Sequence, residues 1–153
     1  GYAEIILPDG LAVGTYMAVN ACGEIYDQDK ILAGALADDD RTIISSHRLM
    51  LEGYERNMGG NTSIGCIITN ADLTKTECRM VSTMAHDGLA RSIRPVHTSM
   101  DGDTLFTMAS GEVKTTIDTV GYLAEEAVRL AVLDAAASAE GMGGRPAYRD
   151  IIK

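Results

Sequence analysis

The chain has 153 residues, a length suited to one continuous core rather than two independent domains. Its 13 Lys and Arg against 22 Asp and Glu give a formal charge of −9. That excludes an electrostatic grip on nucleic acid or an anionic membrane, because either needs clustered cations.

Hydrophobic residues make up 46% and charged residues 23%, as in an ordinary globular domain, so disorder is also excluded. A Pro8-Asp9-Gly10 turn leads into Leu11 to Asn20, LAVGTYMAVN. This apolar, β-rich run reads as a mostly buried strand that delivers Asn20 to its C-terminal end. From Ala21 to Arg41 the pattern is loose and closes on Asp38-Asp39-Asp40. Ile43 to Tyr54 is compatible with a short amphipathic helix, and Asn57-Met58-Gly59-Gly60-Asn61 reads as a flexible break.

Thr62 to Asn70, TSIGCIITN, is a short apolar run expected as a strand covered on both faces, with Cys66 as a small core residue. Thr74 followed by Glu77 forms a capping box and starts a helix. Its apolar face is expected from Thr76, Met80, Val81, Met84 and Ala85, and Gly88 is its expected stop. A loop from Ser92 to Gly102 carries Pro95 and His97. A third strand follows at Thr104 to Ser110, then a long helix from Thr116 or Asp118 to Glu140. Gly141-Met142-Gly143-Gly144 ends that helix. This order of elements predicts a layered α/β domain.

No apolar run approaches the ~20 residues of a membrane span. Cys22, Cys66 and Cys78 are odd in number and lack CxxC spacing, which fits reduced thiols and a cytoplasmic location. The start, Gly1-Tyr2-Ala3-Glu4, has neither Met nor the basic region of a secretory signal, so trimming of a longer chain is expected.

The chemistry centres on Gly59-Gly60-Asn61-Thr62-Ser63. A cut between Asn61 and Thr62 would give Thr62 a free α-amine beside its own hydroxyl. Such an amine, with a pKa near ~8, can serve as general base for Oγ. Thr62 itself can make the cut, by an N-to-O acyl shift followed by ester hydrolysis. Asp101-Gly102-Asp103 places two carboxylates where they can orient and tune an amine. That pair is too small an oxygen set for a Ca²⁺ or Mg²⁺ cage. Asn20 can donate to an oxyanion. His86 and His97 lack the pattern of a zinc site or a Ser/His/Asp elbow and read as structural. The residues imply neither metal nor cofactor.

Taken together, Gly60 to Gly111, GNTSIGCIITNADLTKTECRMVSTMAHDGLARSIRPVHTSMDGDTLFTMASG, resembles the DmpA-type self-processing aminopeptidases, which are N-terminal-nucleophile hydrolases. That family includes β-aminopeptidases, D-aminopeptidase/esterases, nylon-oligomer hydrolases and a pantetheine hydrolase. Upstream, VGTYMAVNACGEIYD, Val13 to Asp27, is similar to the family's strand-plus-Asn segment. The resemblance implies Thr62 as the nucleophile exposed by cleavage after Asn61, Asp101 and Asp103 as the groups that position it, and Asn20 as the oxyanion donor. It further implies a four-layer αββα sandwich shared with the ornithine-acetyltransferase type, of which this chain is the C-terminal part. Residues 1–61 would then close an α subunit and 62–153 would form a β subunit.

The partners implied are a small peptide or amide substrate, a missing N-terminal segment or companion chain, and further copies in a homo-oligomer of processed pairs. Family members draw a Tyr or Lys of the site from that upstream segment, which has no counterpart here. Two other readings stand beside the amide hydrolase. One is an acyltransferase of the ornithine-acetyltransferase type; the other is a catalytically incomplete structural subunit.

Overall fold

The computed structural model describes residues 1–53 and 60–151. Tyr54 and Asn57-Met58-Gly59, parts of the expected helix and of the flexible break, lie outside the described residues.

The main sheet has four strands: β1 (Tyr2–Ile6), β2 (Ala12–Ala18), and two that follow later in the chain. Between them come the short strands β3 (Glu24–Asp27) and β4 (Lys30–Ala33), and a one-turn-and-a-half helix α1 (Ser46–Leu51). The chain then forms β5 (Ile64–Ala71), helix α2 (Lys75–Ser92), β6 (Ile93–Arg94), β7 (Thr104–Val113), helix α3 (Ile117–Ser138) and α4 (Tyr148–Ile151). The main sheet runs β1-β2-β5-β7, antiparallel except for the parallel pair β5 and β7 that α2 connects. A second sheet, β4-β3-β6, is antiparallel.

Local chemistry sets both long helices. The Thr74 hydroxyl accepts from Glu77 N–H at 3.3 Å, and the Glu77 carboxylate accepts from Thr74 N–H at 2.7 Å, completing the expected capping box. Thr116 caps α3 by accepting from Thr119 N–H at 3.2 Å. Both helices cover the same face of the main sheet. Val13, Thr15 and Met17 of β2 and Gly65, Ile67 and Thr69 of β5 point into this layer, where they meet Val81, Ala85 and Leu89 of α2 and Val128 and Val132 of α3. Each fully buried Leu or Ile there contributes on the order of 1.5–3 kcal/mol.

Several expectations change. Helix α2 does not stop at Gly88; it runs on to Ser92, and Gly88 is buried against α3. A Cβ at position 88 would come within 2.2 Å of the Glu125 carbonyl oxygen, so the glycine serves close helix approach, not termination. The buried face of α2 is Val81, Ala85, Gly88, Leu89 and Ser92, whereas Thr76 and Met80 are exposed.

Strand β5 is not covered on both faces in this chain. Tyr16, Ile64, Ile68, Phe106 and Met108 make an open, largely apolar face opposite the helices. Cys66 belongs to that face, half-buried with Sγ 3.8 Å from Met108 Sδ, and is not in the core. Three features lacked a sequence signal: β1, which pairs with β2 along the sheet edge; β3 with β4; and the two-residue β6. Among the described residues, no helix is long and apolar enough to cross a membrane.

Candidate active site around Thr62

Asn20 and Thr62 come together because β2 and β5 are antiparallel neighbours. Their ladder ends at Ala18 paired with Ile64, and continuing it by two residues each way sets Asn20 against Thr62. Thr62 N–H donates to the Asn20 carbonyl at 3.1 Å, extending the ladder past the strand ends. On the other side, Asn61 bridges Asp101 in parallel register, and Gly102 N–H donates to the Asn61 carbonyl at 2.8 Å. Thr104 N–H donates to Ser63 carbonyl at 2.9 Å, which anchors the next residue. The Asn61 side chain is also held, its Nδ2 donating to Ala21 carbonyl at 2.9 Å. The Asn61–Thr62 peptide is therefore gripped from both neighbouring segments. Thr62 and Asn20 are nonetheless exposed, as a reactive hydroxyl and a ligand-facing amide must be.

The two carboxylates flank this peptide. Asp101 Oδ2 accepts from both Thr98 N–H at 2.9 Å and Thr98 Oγ at 2.8 Å, which folds the preceding loop onto the site. Asp103 Oδ1 accepts from Ser63 N–H at 2.9 Å. In the continuous chain Thr62 N is an amide directed at Asn20, and neither carboxylate hydrogen-bonds Thr62. Between the two acids Gly102 leaves room for the hydroxyl. A Cβ there would stand 2.7 Å from Thr62 Oγ. Cys22 sits beside the same turn; burial first, and the Asp101 carboxylate second, push its thiol up from the ordinary value.

Sequence reasoning set His86 and His97 aside, yet the fold brings both to this cluster. His97 Nδ1 is 3.1 Å from Asp103 Oδ2, and His86 Nδ1 is 3.3 Å from His97 Nε2. The positions 86 and 97 carry no motif that would have paired them. The approach depends on α2 ending beside the loop that leads into the Asp101 turn. Burial, followed by the neighbouring His97, holds the His86 imidazole below its ordinary value. Among the described residues, no cluster of three or more His, Cys, Asp or Glu is arranged to hold a metal ion.

Several known proteins are similar to this chain. An uncharacterized aminopeptidase of Mycobacterium leprae (strain TN) is 34% identical over 169 residues, covering 97% of this chain and 46% of its own length. One from Mycobacterium tuberculosis (strain ATCC 25618 / H37Rv) is 34% identical over 175 residues, covering 99% of this chain and 51% of its own. This chain thus spans about half the length of the curated relatives it matches. A 6-aminohexanoate-oligomer endohydrolase of Paenarthrobacter ureafaciens is 41% identical over a shorter stretch of 54 residues, 35% of this chain and 15% of its own.

Among solved structures, a Burkholderia sp. beta-aminopeptidase superposes with a TM-score of 0.64 at 19% identity, covering 96% of this chain and 44% of its own. The L-aminopeptidase D-Ala-esterase/amidase of Ochrobactrum anthropi, a variant of the Ntn hydrolase fold, gives 0.62 at 17% identity, covering 95% and 42%. At such low identity these two show a common fold. The signature of Peptidase family S58 runs through residues 2–149, nearly the whole described chain, and with it this chain belongs to Peptidase family S58.

Proposed function

We propose that the chain carries the reaction centre of a self-processing amide hydrolase, with Thr62 as an N-terminal nucleophile exposed by cleavage after Asn61. The observation that carries this reading is the hydrogen bond from Gly102 N–H to the Asn61 carbonyl, 2.8 Å long. That carbonyl is the one Thr62 Oγ must attack to cut its own preceding bond. A backbone donor aimed at it polarises the carbon and stabilises the oxyanion as it forms. The N-to-O shift moves the acyl group of Asn61 from Thr62 N to Thr62 Oγ, and the nitrogen takes up the hydroxyl proton. Water then cleaves the ester, releasing the Asn61 carboxylate and a Thr62 with a free amine.

In the processed protein the amine takes the proton from Thr62 Oγ as the hydroxyl attacks a substrate amide. It returns that proton to the leaving amine, and water resolves the acyl-enzyme. Asn20, exposed and opposite Thr62, would stabilise the substrate oxyanion. Asp101 and Asp103, on either side of Gly102, would orient the new amine once it is no longer tied to Asn20. The names of the relatives, aminopeptidase and oligomer endohydrolase, support small peptides, amino-acid amides or related oligoamides as substrates.

The open apolar face of the main sheet supports a four-layer αββα arrangement, in which a second sheet from the remainder of the protein or a companion chain covers Tyr16, Ile68, Phe106 and Met108. On this reading the chain is the C-terminal part of the sandwich, divided into 1–61 and 62–153, and the processed pairs assemble further. Three unpaired cysteines support a reducing, cytoplasmic setting. The test is Thr62→Ala followed by intact mass. The variant should remain one uncut, inactive polypeptide, and a variant still split between Asn61 and Thr62 refutes the mechanism.

A further inference from the structure

The mechanism above leaves unused a file of side chains leading from Asp103 to the surface. The Asp103 side chain is only 3% exposed, and its Oδ2 is buried without a hydrogen-bond partner. Among the described residues, the cationic or potentially cationic group within ion-pair range of it is His97, with Nδ1 at 3.1 Å. A buried carboxylate oxygen left bare costs far more than one that is met by a donor. The His97 side chain is 39% exposed, and its backbone adopts φ +54, in the left-handed region. Behind it, His86 Nδ1 faces His97 Nε2 at 3.3 Å, with ring centroids 4.9 Å apart.

The donor and acceptor roles then follow from one another. When His97 Nδ1 carries a proton toward Asp103, Nε2 of the neutral ring accepts from His86 Nδ1–H, so His86 selects the useful tautomer. The other charged groups bearing on this file are Asp87 beside His86 and Arg79, which lines the same groove with Ser82 and Thr83. Asp101 faces Thr98 instead.

We propose that His97 is a positioning residue for the Thr62 centre: its Nδ1, within ion-pair range of the unpartnered Asp103 Oδ2, would donate to that oxygen after a small rotation of the ring, so that Asp103 Oδ1 stays on Ser63 N–H and thereby holds the segment presenting the Thr62 hydroxyl. His86 fixes the His97 tautomer. The proposal rests on the reading of Thr62 as nucleophile, and the measurement separates the two. The whole protein, with the covering sheet that the proposed function calls for, is made by cell-free translation, and self-cleavage at Asn61–Thr62 is followed by intact mass. The wild type is compared with Thr62→Ala, His97→Asn, His97→Leu and His97→Gly, with folding checked by circular dichroism and Tm.

Asn retains an N–H donor near the position of Nδ1 and tolerates the left-handed backbone. It should cut within about 3-fold of wild type, while Leu should be slower by about 10-fold or more, the scale of a misplaced reacting group. Gly keeps the backbone and empties the ring's space, so added imidazole should restore part of its lost rate. The role of His97 as a donor is overturned if Leu cuts at the wild-type rate. It is equally overturned if Asn is as slow as Leu and imidazole leaves Gly unchanged. Should Leu fail to fold, Asn against Gly with and without imidazole decides the matter. An uncut wild type, or a Thr62→Ala chain that cuts, refutes the nucleophile and this inference together. Cleavage that needs Thr62 but ignores His97 refutes this inference alone.

Discussion

Gly102→Ala places one methyl group directly against the proposed nucleophile. The new Cβ would lie 2.7 Å from Thr62 Oγ and 3.7 Å from both Thr62 Cβ and Cγ2. Ordinary contact begins near 3.4 Å, so the hydroxyl must retreat by about 0.7 Å or the turn must open by as much. Gly102 is exposed and lies outside the left-handed region, so alanine adds no backbone strain. The stability change should therefore stay within ~0.5 kcal/mol. A reacting atom displaced by ~1 Å loses about 10²-fold in rate, so self-cleavage should slow by roughly 10- to 100-fold. That corresponds to about 1.4–2.7 kcal/mol in the barrier. The assay pairs an intact-mass time course after cell-free translation with a thermal melt. A variant that melts and cuts like the wild type would show that the Thr62 hydroxyl is not where the chemistry occurs.

Two further predictions concern the scaffold. Gly88→Ala should destabilise although alanine gains ~1 kcal/mol in helix propensity, because its Cβ would press within 2.2 Å of the Glu125 backbone oxygen and overpacking costs about 1–3 kcal/mol or more. An unchanged or raised urea midpoint would refute the close α2–α3 contact. Glu126 accepts from Arg129 at 2.6 Å and lies 3.2 Å from Arg91 across the helix pair. These contacts, Arg129 foremost, hold its carboxyl below the ordinary value of 4.5. A lowered folded pKa means the folded state binds fewer protons, so the stabilisation is present above pH 4.5 and fades as pH falls through the lower folded value. Melts of wild type and Glu126→Gln should converge in that acidic window, and a gap that is the same at every pH would contradict the assignment.

The candidate residues Thr62, Asp101, Asp103 and Asn20 stand out by residue type and near neighbours, but only the resemblance of the whole stretch to a known family joins them into one proposed site. The cap Thr74 was legible because an N-cap bond spans only three residues, whereas the start of the long last helix stood open between Thr116 and Asp118 until the structure showed Thr116 as its cap. Gly88 misled because a glycine that permits close packing and one that ends a helix look alike along the chain. The open face of β5 misled in a similar way. An apolar run does not say which of its faces the chain itself covers, and Ile64 and Ile68 remain exposed.

By itself, then, the sequence determined the strands β2, β5 and β7, the two long helices, the order of the candidate site residues and an acidic character unsuited to nucleic acid. Only the tertiary structure decided that Asn20 and Gly102 grip the Asn61–Thr62 peptide, that β1 and the β4-β3-β6 sheet complete the fold, and that His86 and His97 file up to Asp103. The physical reason is range. Caps, turns and periodicity are interactions between residues a few positions apart, which a sequence displays directly. The contacts of Thr62 with Asn20 and of Ser63 with Asp103 instead join segments far apart in the chain, and those are settled by how the strands pair as the whole core is buried.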